Sequence, residues 1–240
     1  MNVDDPGTEA SIRDMTAAMF LSPPKPYYEH AGITIYHGDC REITAWLSAD
    51  VLITDPPDGV SWLGYANQGQ RRISIAGDDD ASVRDSALAL WGDKPALVFG
   101  SWRIPRPSAT RNRLIWYKRG HAPGLLNAPF MSQDEEIYVL GGGFLSTSPP
   151  MRSVIETNES RSGEVKRIGH PTPKPIHLLE ILIRRCIGPT IADPFCGSGS
   201  TLLAARNLNR KAIGIELEEK YCEIAAERCR QEVLDLGGNP

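Results

Sequence analysis

One stretch of the chain has the order strand, glycine-rich loop, helix, strand, and this order constrains the fold most. The first strand is predicted at residues 190–192, the tight loop at 197–200 and the helix at 201–208. A second strand, residues 211–215, ends at Glu216. Because parallel strands need a crossover connection that is usually a helix, this unit predicts an α/β fold with a largely parallel sheet.

The rest of the chain also alternates between strand and helix patterns, which supports the same fold class. A single domain is expected at residues 27–240, after an N-terminal tail at 1–26. Residues 61–82 and 141–169 are polar and contain many turn-forming residues, so they are predicted to be loops. The pattern predicts strands at 32–37, 51–54, 96–99, 114–117 and 136–140, and helices at 11–21, 41–47, 82–91, from Pro175 onward and at 221–236.

Composition excludes several classes of protein. The chain has 240 residues and a net charge of −4, so no overall basic character indicates a nucleic-acid partner. No apolar run approaches the ~20 residues of a membrane span, and the N-terminus lacks the pattern of a signal peptide. We therefore expect a cytoplasmic protein without membrane contact. Reduced thiols and no metal site are expected because no CxxC pair is found among the five cysteines, Cys40, Cys186, Cys196, Cys222 and Cys229.

The strand predicted at residues 51–54 runs into Asp55-Pro56-Pro57-Asp58. Two consecutive prolines remove two backbone donors, and each keeps the residue before it extended. The strand end is thus a stiff ledge that carries a carboxylate and carbonyl oxygens with no amide nearby to bind them. Such a set of acceptors suits a substrate that offers an NH2 group.

The glycine-rich loop has the features of a nucleoside-binding site. Gly197 and Gly199 permit a tight turn, and Ser200 or Thr201 is predicted to cap the helix that follows. Glu216 lies about 20 residues further on, where an acidic residue commonly binds ribose hydroxyls. The loop lacks the lysine of a Walker A motif and the third glycine of a dinucleotide fingerprint. A glycine turn without any ligand remains the alternative.

Three segments together resemble the motifs of DNA amino-methyltransferases. Thr54-Asp55-Pro56-Pro57 matches the catalytic motif of that family, whose fourth position is usually aromatic but is Asp58 here. The segment from His170 to Pro175 resembles its Thr-x-Lys-Pro segment. The loop from Asp193 to Thr201 resembles its S-adenosylmethionine motif, with Ser200 inserted or substituted at the threonine position. The catalytic motif comes first, as in the permuted beta class.

This resemblance implies a Rossmann-like methyltransferase sheet of seven strands, with one antiparallel strand near an edge and helices on both faces. It implies S-adenosylmethionine as the cofactor, with Glu216 on its ribose, Asp39 on the exocyclic amine of its adenine, and Thr172 and Lys174 over its amino-acid part. The residues expected at the cofactor are Asp39, Cys40, Asp55, Thr172, Lys174, Asp193, Phe195, Cys196, Gly197, Ser198, Gly199, Ser200, Thr201 and Glu216. Those expected at the reaction are Asp55, Pro56, Pro57 and Asp58.

Asp58 leaves three hypotheses open. A flipped base is usually held by stacking on an aromatic side chain, which a carboxylate cannot replace. Asp58 is an inactivating change, or a nearby aromatic (Trp62 or Tyr65) takes over the stacking, or the reaction proceeds more slowly without it. A second carboxylate near Asp55 also raises the pKa of one of the two.

Basic residues are concentrated in one segment, residues 103–170, which is the expected DNA-contacting or target-recognition segment. It contains ten Lys/Arg and six Asp/Glu, so it carries +4 in a chain of net charge −4. This asymmetry predicts a basic face that neutralises phosphates, although a solvated surface with scattered charge is the alternative. The expected DNA contacts are Arg71, Arg72, Arg103, Arg111, Arg113, Lys118 and Arg119.

The predicted function is methylation of an exocyclic amine of double-stranded DNA. In the family that these motifs resemble, aspartate rather than serine at the position of Asp55 favours adenine N6 over cytosine N4 as the target. The rival hypothesis is a cofactor-binding and DNA-binding protein that no longer catalyses. An enzyme acting on RNA or on protein glutamine is a third, and the latter usually has asparagine at this position. A homodimer and a cognate restriction nuclease are the further partners considered.

Overall fold

The computed structural model describes residues 24–57, 63–65, 72–74, 80–119, 133–147, 149–157 and 173–231, with only the backbone at 63–65 and 72–74. The helix expected at 11–21 lies outside these residues. The expected tail at 1–26 is described only from residue 24.

Within the described residues, nine strands form one sheet and two form a separate hairpin. In the main sheet the spatial order is β1-β2-β11-β10-β3-β6-β8-β7-β9, and β4 pairs only with β5. The strands are β1 (Tyr28–His30), β2 (Ile33–His37), β3 (Val51–Thr54), β4 (Leu63–Tyr65), β5 (Arg72–Ser74), β6 (Ala96–Gly100), β7 (Thr110–Lys118), β8 (Asp134–Leu140), β9 (Val154–Thr157), β10 (Thr190–Asp193) and β11 (Lys211–Glu216). The helices are α1 (Ser82–Trp91), α2 (Ile176–Ile183), α3 (Ser200–Asn207) and α4 (Glu219–Arg230).

The α/β class and the mostly parallel sheet are confirmed, but the expected strand numbers differ. In place of seven strands with one antiparallel, the described sheet has nine with two antiparallel, namely β8 between β6 and β7, and β1 at the edge. β1 pairs with β2 through a two-residue turn in which Ala31 and Gly32 have φ values of 50° and 80°. Positive φ at both turn residues matches the twist of a tight hairpin. Two loop residues are therefore enough to pair β1 with β2 at the edge of the sheet.

Both faces of the sheet are covered, as expected. Side chains alternate along each strand, so Val51 and Ile53 join the core formed with α2, α3 and α4, whereas Leu52 faces the opposite side. There it packs in a second core with Trp46 and Trp91, whose rings stack 5.7 Å apart. The buried strands are therefore apolar on both faces, as parallel strands usually are.

Several predicted elements are wrong or have different bounds. The helix predicted at 41–47 is only a 3-10 helix, Ala45–Ser48. A turn precedes it, in which the amides of Glu42 and Ile43 donate to the Asp39 carbonyl. The predicted loops at 61–82 and 141–169 contain the pair β4–β5 and the strand β9, respectively. The last helix ends at Arg230 rather than at residue 236, and α2 ends before Ile187, which is exposed.

The order of the strands creates a crevice between β3 and β10. These two strands are parallel neighbours, yet the chain continues from β10 through α3 to β11 on one side and from β3 through α1 to β6 on the other. At such a reversal the connections diverge and leave a crevice at the carboxyl ends of the strands, where open α/β sheets bind ligands. Of the described helices, none has the length and apolar character required to cross a membrane.

Candidate functional site

A buried carboxylate joins the two strand ends that form the crevice. Thr54 Oγ1 donates to Asp193 Oδ1 at 2.7 Å, the Phe195 amide donates to the same oxygen at 3.2 Å, and the side chain of Thr201 adds a further hydrogen bond. Burial raises the pKa of Asp193 to about 6, assisted by the negative charge of Asp55 and opposed by these hydrogen bonds. Asp193 therefore holds the glycine-rich loop and the Asp55 ledge in a fixed relation.

The glycine-rich loop is shaped by close packing as well as by φ. Gly199 is the N-cap residue of α3 with φ of 76°, and a Cβ there would lie 2.8 Å from the Ala225 Cβ on α4. A Cβ on Gly214 would lie 2.8 Å from Cys196 Sγ. The loop thus fits closely between β11 and α4. The predicted capping of α3 by Ser200 or Thr201 is wrong, since no side chain caps this helix.

Arg228 on α4 is a contact of this loop that the sequence did not indicate. Its guanidinium donates to the Ser198 carbonyl at 2.5 Å, to Ser198 Oγ at 3.1 Å and to Ser200 Oγ at 3.3 Å. The two serines expected at the cofactor are therefore also part of the attachment of the loop to α4. No sequence motif marks Arg228, because its partners lie 28 and 30 residues away.

Glu216 lies beside the loop, as its register at the end of β11 predicted. Its carboxylate accepts the Gly197 amide at 2.8 Å through Oε2 and the Glu218 amide at 2.8 Å through Oε1. Burial raises the pKa of Glu216, and the two amides oppose that shift. Each carboxylate oxygen has a second lone pair to offer, so the group suits a ligand with adjacent hydroxyls, such as a ribose.

Asp39 and Cys40 follow β2, whose end is joined to β11 by the Gly38 amide and the Glu216 carbonyl at 2.8 Å. The Asp39 carboxylate binds the Arg41 guanidinium at 2.5 to 3.1 Å, which lowers the pKa of Asp39. Cys40 is buried, burial raises its pKa to about 12, and its carbonyl accepts from Trp46 Nε1. Asp39 and Cys40 thus directly follow a residue that is hydrogen-bonded to the end of β11.

At the ledge, Asp55 contacts a lysine that is itself held by a second carboxylate. Lys174 Nζ donates to Asp55 Oδ2 and lies 3.3 Å from Glu135 Oε2, while the other Glu135 oxygen pairs with Lys118. The Lys174 ammonium also lies 5.0 Å from the centre of the Phe99 ring. Sequence reasoning missed Glu135, which no motif marks. Lys118, one of the predicted DNA contacts, is paired with Glu135 in this structure.

The remaining cations predicted to contact DNA differ in their surroundings. Arg113 pairs with the buried Glu136 at 2.9 Å and Arg119 pairs with Glu156 at 3.0 Å. Arg103 and Arg111 are exposed, and neither has a carboxylate partner among the residues that the structure describes. The basic segment is therefore partly neutralised by its own strands.

Some predicted site residues fall outside the described part of the chain: Asp58, Trp62, Arg71 and Thr172, together with the side chains of Tyr65 and Arg72. Pro56 is buried and Pro57 partly buried. All five cysteines are buried and free, and the described residues hold no group of His, Cys, Asp and Glu that could bind a metal ion.

Comparison with known proteins indicates the family to which the chain belongs. A family model described as DNA methylase matches residues 108–227. The putative methylase YubD of Escherichia coli is 46% identical over 208 residues, covering 80% of this chain and 87% of that protein. The type II methyltransferase M.ScaI of Streptomyces caespitosus is 25% identical over 262 residues, covering 88% and 86%.

A solved structure, the M1.HpyAVI–SAM complex, has 25% sequence identity and a TM-score of 0.61. It aligns over 83% of this chain and all of its own length. The family model covers half of the chain, and the relative at 46% identity covers four fifths of it. From the fold, the two motif-bearing strand ends and these matches, we conclude that the chain belongs to the DNA methylase family of N6- and N4-amino-methyltransferases.

Proposed function

We propose that this protein transfers a methyl group from S-adenosylmethionine to the exocyclic amine of a base in DNA, with adenine N6 the favoured target. One observation carries the proposal: the Asp55 ledge and the glycine-rich loop occupy the ends of adjacent strands, joined by the 2.7 Å hydrogen bond between Thr54 and Asp193. The solved relative M1.HpyAVI, crystallised with SAM, supports the choice of cofactor.

The cofactor would lie along the ends of β10, β11 and β2. Glu216 would accept from the ribose hydroxyls with the lone pairs that Gly197 and Glu218 leave, and Asp39 would accept from the adenine amine beside Arg41. Phe195, partly buried at the loop, would line the methionine end. These residues fit the cofactor because their oxygen acceptors face a nucleoside that is rich in donors.

The residues of the chain would contribute to the reaction by orienting the amine and by accepting hydrogen bonds from it as its nitrogen becomes positively charged. When bound, the cofactor supplies a methyl group on a sulfonium centre, which needs alignment rather than further activation. Asp55 and the Pro56 carbonyl would accept hydrogen bonds from the amine, which strengthen as the nitrogen gains positive charge. The cofactor would leave as a neutral thioether, and the Asp55 carboxylate would accept the proton that the amine loses once it carries the methyl group.

The target base has to leave the helical stack to reach this ledge, because the amine is enclosed in a duplex. Arg103 and Arg111 are exposed and would contact the phosphates around the extruded base. Phosphate contacts of this kind position the duplex without reading its sequence. Asp55 as the first residue of the motif favours adenine over cytosine.

The second candidate function is binding of cofactor and DNA without catalysis. It is kept because Asp58 occupies the usual aromatic position of the catalytic motif. The test incubates the protein and an Asp58→Tyr variant with plasmid DNA and S-adenosylmethionine labelled on its methyl group. Incorporation of label by either protein supports the enzymatic proposal, and a silent parent with an active variant identifies Asp58 as an inactivating residue. If neither protein methylates DNA although both bind cofactor and DNA, the enzymatic proposal is wrong.

A further inference from the structure

Trp102 differs from the other large apolar side chains of the described residues in its exposure. Its exposed fraction is 73%, and the next highest, that of Val154, is 54%. The tryptophans Trp46, Trp91 and Trp116 are all buried, and each donates its indole N–H to an oxygen of the protein. Single exposed apolar residues are common and need no explanation in themselves. The exposure of Trp102 is informative because of where this residue lies in the fold.

Trp102 follows the end of β6, the parallel neighbour of β3 on the ledge side. Thr54, the last residue of β3, pairs with Val98, and β6 continues to Gly100. Neighbouring strands lie about 4.8 Å apart. Because β3 and β6 are parallel neighbours, Trp102, two residues past the end of β6, follows the same edge of the sheet as Asp55, one residue past the end of β3.

The backbone on either side of Trp102 is held by contacts with Tyr138 on β8 and by a hydrogen bond within its own turn. Tyr138 Oη donates to Glu136 at 2.7 Å and lies 3.2 Å from the Ser101 carbonyl oxygen, and a Cβ on Gly100 would lie 2.5 Å from the Tyr138 ring. The Arg103 amide donates to Ser101 Oγ at 3.3 Å. A turn that is already held in one conformation suits a stacking surface, because little backbone conformational entropy is lost when a ligand binds.

The neighbouring charge fits a nucleic acid. The Arg103 guanidinium lies 5.8 Å from the centre of the Trp102 ring. An aromatic face beside an exposed arginine is the combination that binds an unstacked base and its phosphate. The catalytic motif itself has Asp58 where an aromatic residue would stack on the base.

We propose that Trp102 stacks on the base presented to the Asp55-Pro56-Pro57 ledge and thereby supplies the aromatic surface that Asp58 cannot. This inference rests on the proposed function, because it concerns the same target base. It makes Trp102 a substrate-binding residue located on β6's side of the crevice, outside the motif.

The experiment compares Trp102→Ala and Trp102→Phe in the full-length protein. The control is Leu90→Ala, an exposed apolar residue on α1. Methyl transfer from labelled cofactor to plasmid DNA should lose roughly 5- to 150-fold in kcat/KM for DNA with alanine, the range expected for one stacked base. Phenylalanine should restore most of it, and cofactor affinity should stay unchanged in all variants. Equal activity of Trp102→Ala and Leu90→Ala would overturn the proposal.

A second comparison tests the link with Asp58. In an Asp58→Tyr background the tyrosine supplies a ring, so Trp102→Ala should cost less there than in the parent, as a double-mutant cycle measures. An undiminished loss in that background would show that Trp102 acts elsewhere and would contradict the assigned role.

If neither the parent nor Asp58→Tyr methylates DNA, the proposed catalysis fails. Whenever the parent is silent, the stacking inference is decided by binding. A single-stranded oligonucleotide containing 2-aminopurine is the probe, since stacking on an aromatic ring quenches its fluorescence. Quenching by the parent and by Trp102→Phe, but not by Trp102→Ala, supports the stacking role. Equal quenching by all three proteins, or none, overturns it.

Discussion

At the scale of single residues, the Asp55 carboxylate is oriented by a chain of alternating charges. Lys174 contacts it, Glu135 holds Lys174 at 3.3 Å, and Lys118 pairs with Glu135. Lys174 is mostly buried, so its position is well defined by these partners and by the Phe99 ring. Fixed acceptors are valuable in methyl transfer because alignment contributes much of the rate.

Replacement of Lys174 by methionine tests this arrangement. Asp55 loses its contact with the Lys174 ammonium, and with it this constraint on its orientation, so we expect kcat to fall by about 10- to 100-fold. Cofactor affinity, measured by calorimetry, should change little. Lys220→Met, at an exposed ion pair, serves as the control. Loss of cofactor affinity with unchanged kcat would instead support the role first predicted for Lys174, closure over the amino-acid part of the cofactor.

Glu216 provides a prediction about cofactor binding. In Glu216→Gln the amide NH2 group would face either the Gly197 or the Glu218 amide, and the charge that ribose hydroxyls would bind is removed. Hydrogen bonds to charged groups contribute about 1.5–3 kcal/mol, so cofactor affinity should fall at least tenfold. Equilibrium dialysis with labelled cofactor measures this, with Glu218→Gln as the control. Equal affinities of the two variants would contradict the ribose assignment.

Single residues were predictable where a motif has a local cause. Glu216 could be predicted because one strand and one loop determine its register with the glycine loop. Glu135 and Arg228 could not, because their partners are brought together only by the assembled sheet and helices. The pairing of Lys118 was likewise not predictable, because its carboxylate partner comes from the neighbouring strand β8.

At the scale of elements, the fit between the glycine loop and α4 determines where the loop lies. Gly199 combines a left-handed φ with a close approach to Ala225, so two separate reasons exclude a side chain. The loop consequently depends on α4 for its shape, and Arg228 adds three hydrogen bonds from the same helix.

Gly199→Ala should destabilise the protein by about 2–4 kcal/mol, from the left-handed φ and the overlap with Ala225 together. Urea unfolding followed by circular dichroism gives the free energy. Gly142→Ala is the matched control, because a Cβ there meets nothing within 4 Å and its φ is not in the left-handed region. A cost no larger than that of the control would show that the loop moves freely against α4.

The Asp193 bridge between β3 and β10 predicts a dependence of stability on pH. Its pKa in the folded protein is about 6, above the ordinary value of 3.8, so the folded state binds more protons between these values. The contribution of Asp193 to stability is therefore fully present below about pH 4 and is lost as pH rises through 6. Asn at this position cannot ionise but can still accept from Thr54 and Phe195.

Relative to the parent, Asp193→Asn should thus gain stability between pH 4 and pH 7, by up to roughly 3 kcal/mol. The free energy of unfolding of each protein is measured in urea at several pH values. Taking the difference between the two proteins at each pH removes the effect of titrating groups that both contain. A difference that stays constant over this range would mean that Asp193 titrates at an ordinary pKa and that its burial is not as described.

Elements were predicted well where the hydrophobic pattern is strong. The apolar strands β3, β6 and β10 and the helix following Pro175 lie where the pattern indicated. Short or polar elements were missed: Tyr28–His30 owes its strand structure to pairing with β2, and Val154–Thr157 to pairing with β7. The helix predicted at 41–47 failed because the turn that begins at Asp39 extends to Ile43.

At the scale of the whole molecule, the crevice between β3 and β10 unites two motifs that lie 138 residues apart, Asp55 and Asp193. The fold class and the meeting of these motifs on one edge follow from alternating strands and helices, so they were predictable. The antiparallel strands β1 and β8 and the distribution of charge were less so. Glu135, Glu136 and Glu156 neutralise cations that the sequence alone assigned to DNA.

The central claim is that this crevice methylates an exocyclic amine at the Asp55 ledge. The most direct measurement digests DNA treated with the protein and labelled cofactor to nucleosides and identifies the labelled product by mass spectrometry, with Asp55→Ala and Asp58→Tyr variants alongside. We predict label on N6-methyladenine with the parent or with Asp58→Tyr, and none with Asp55→Ala. Label on cytosine C5, or undiminished labelling by Asp55→Ala, would contradict the account.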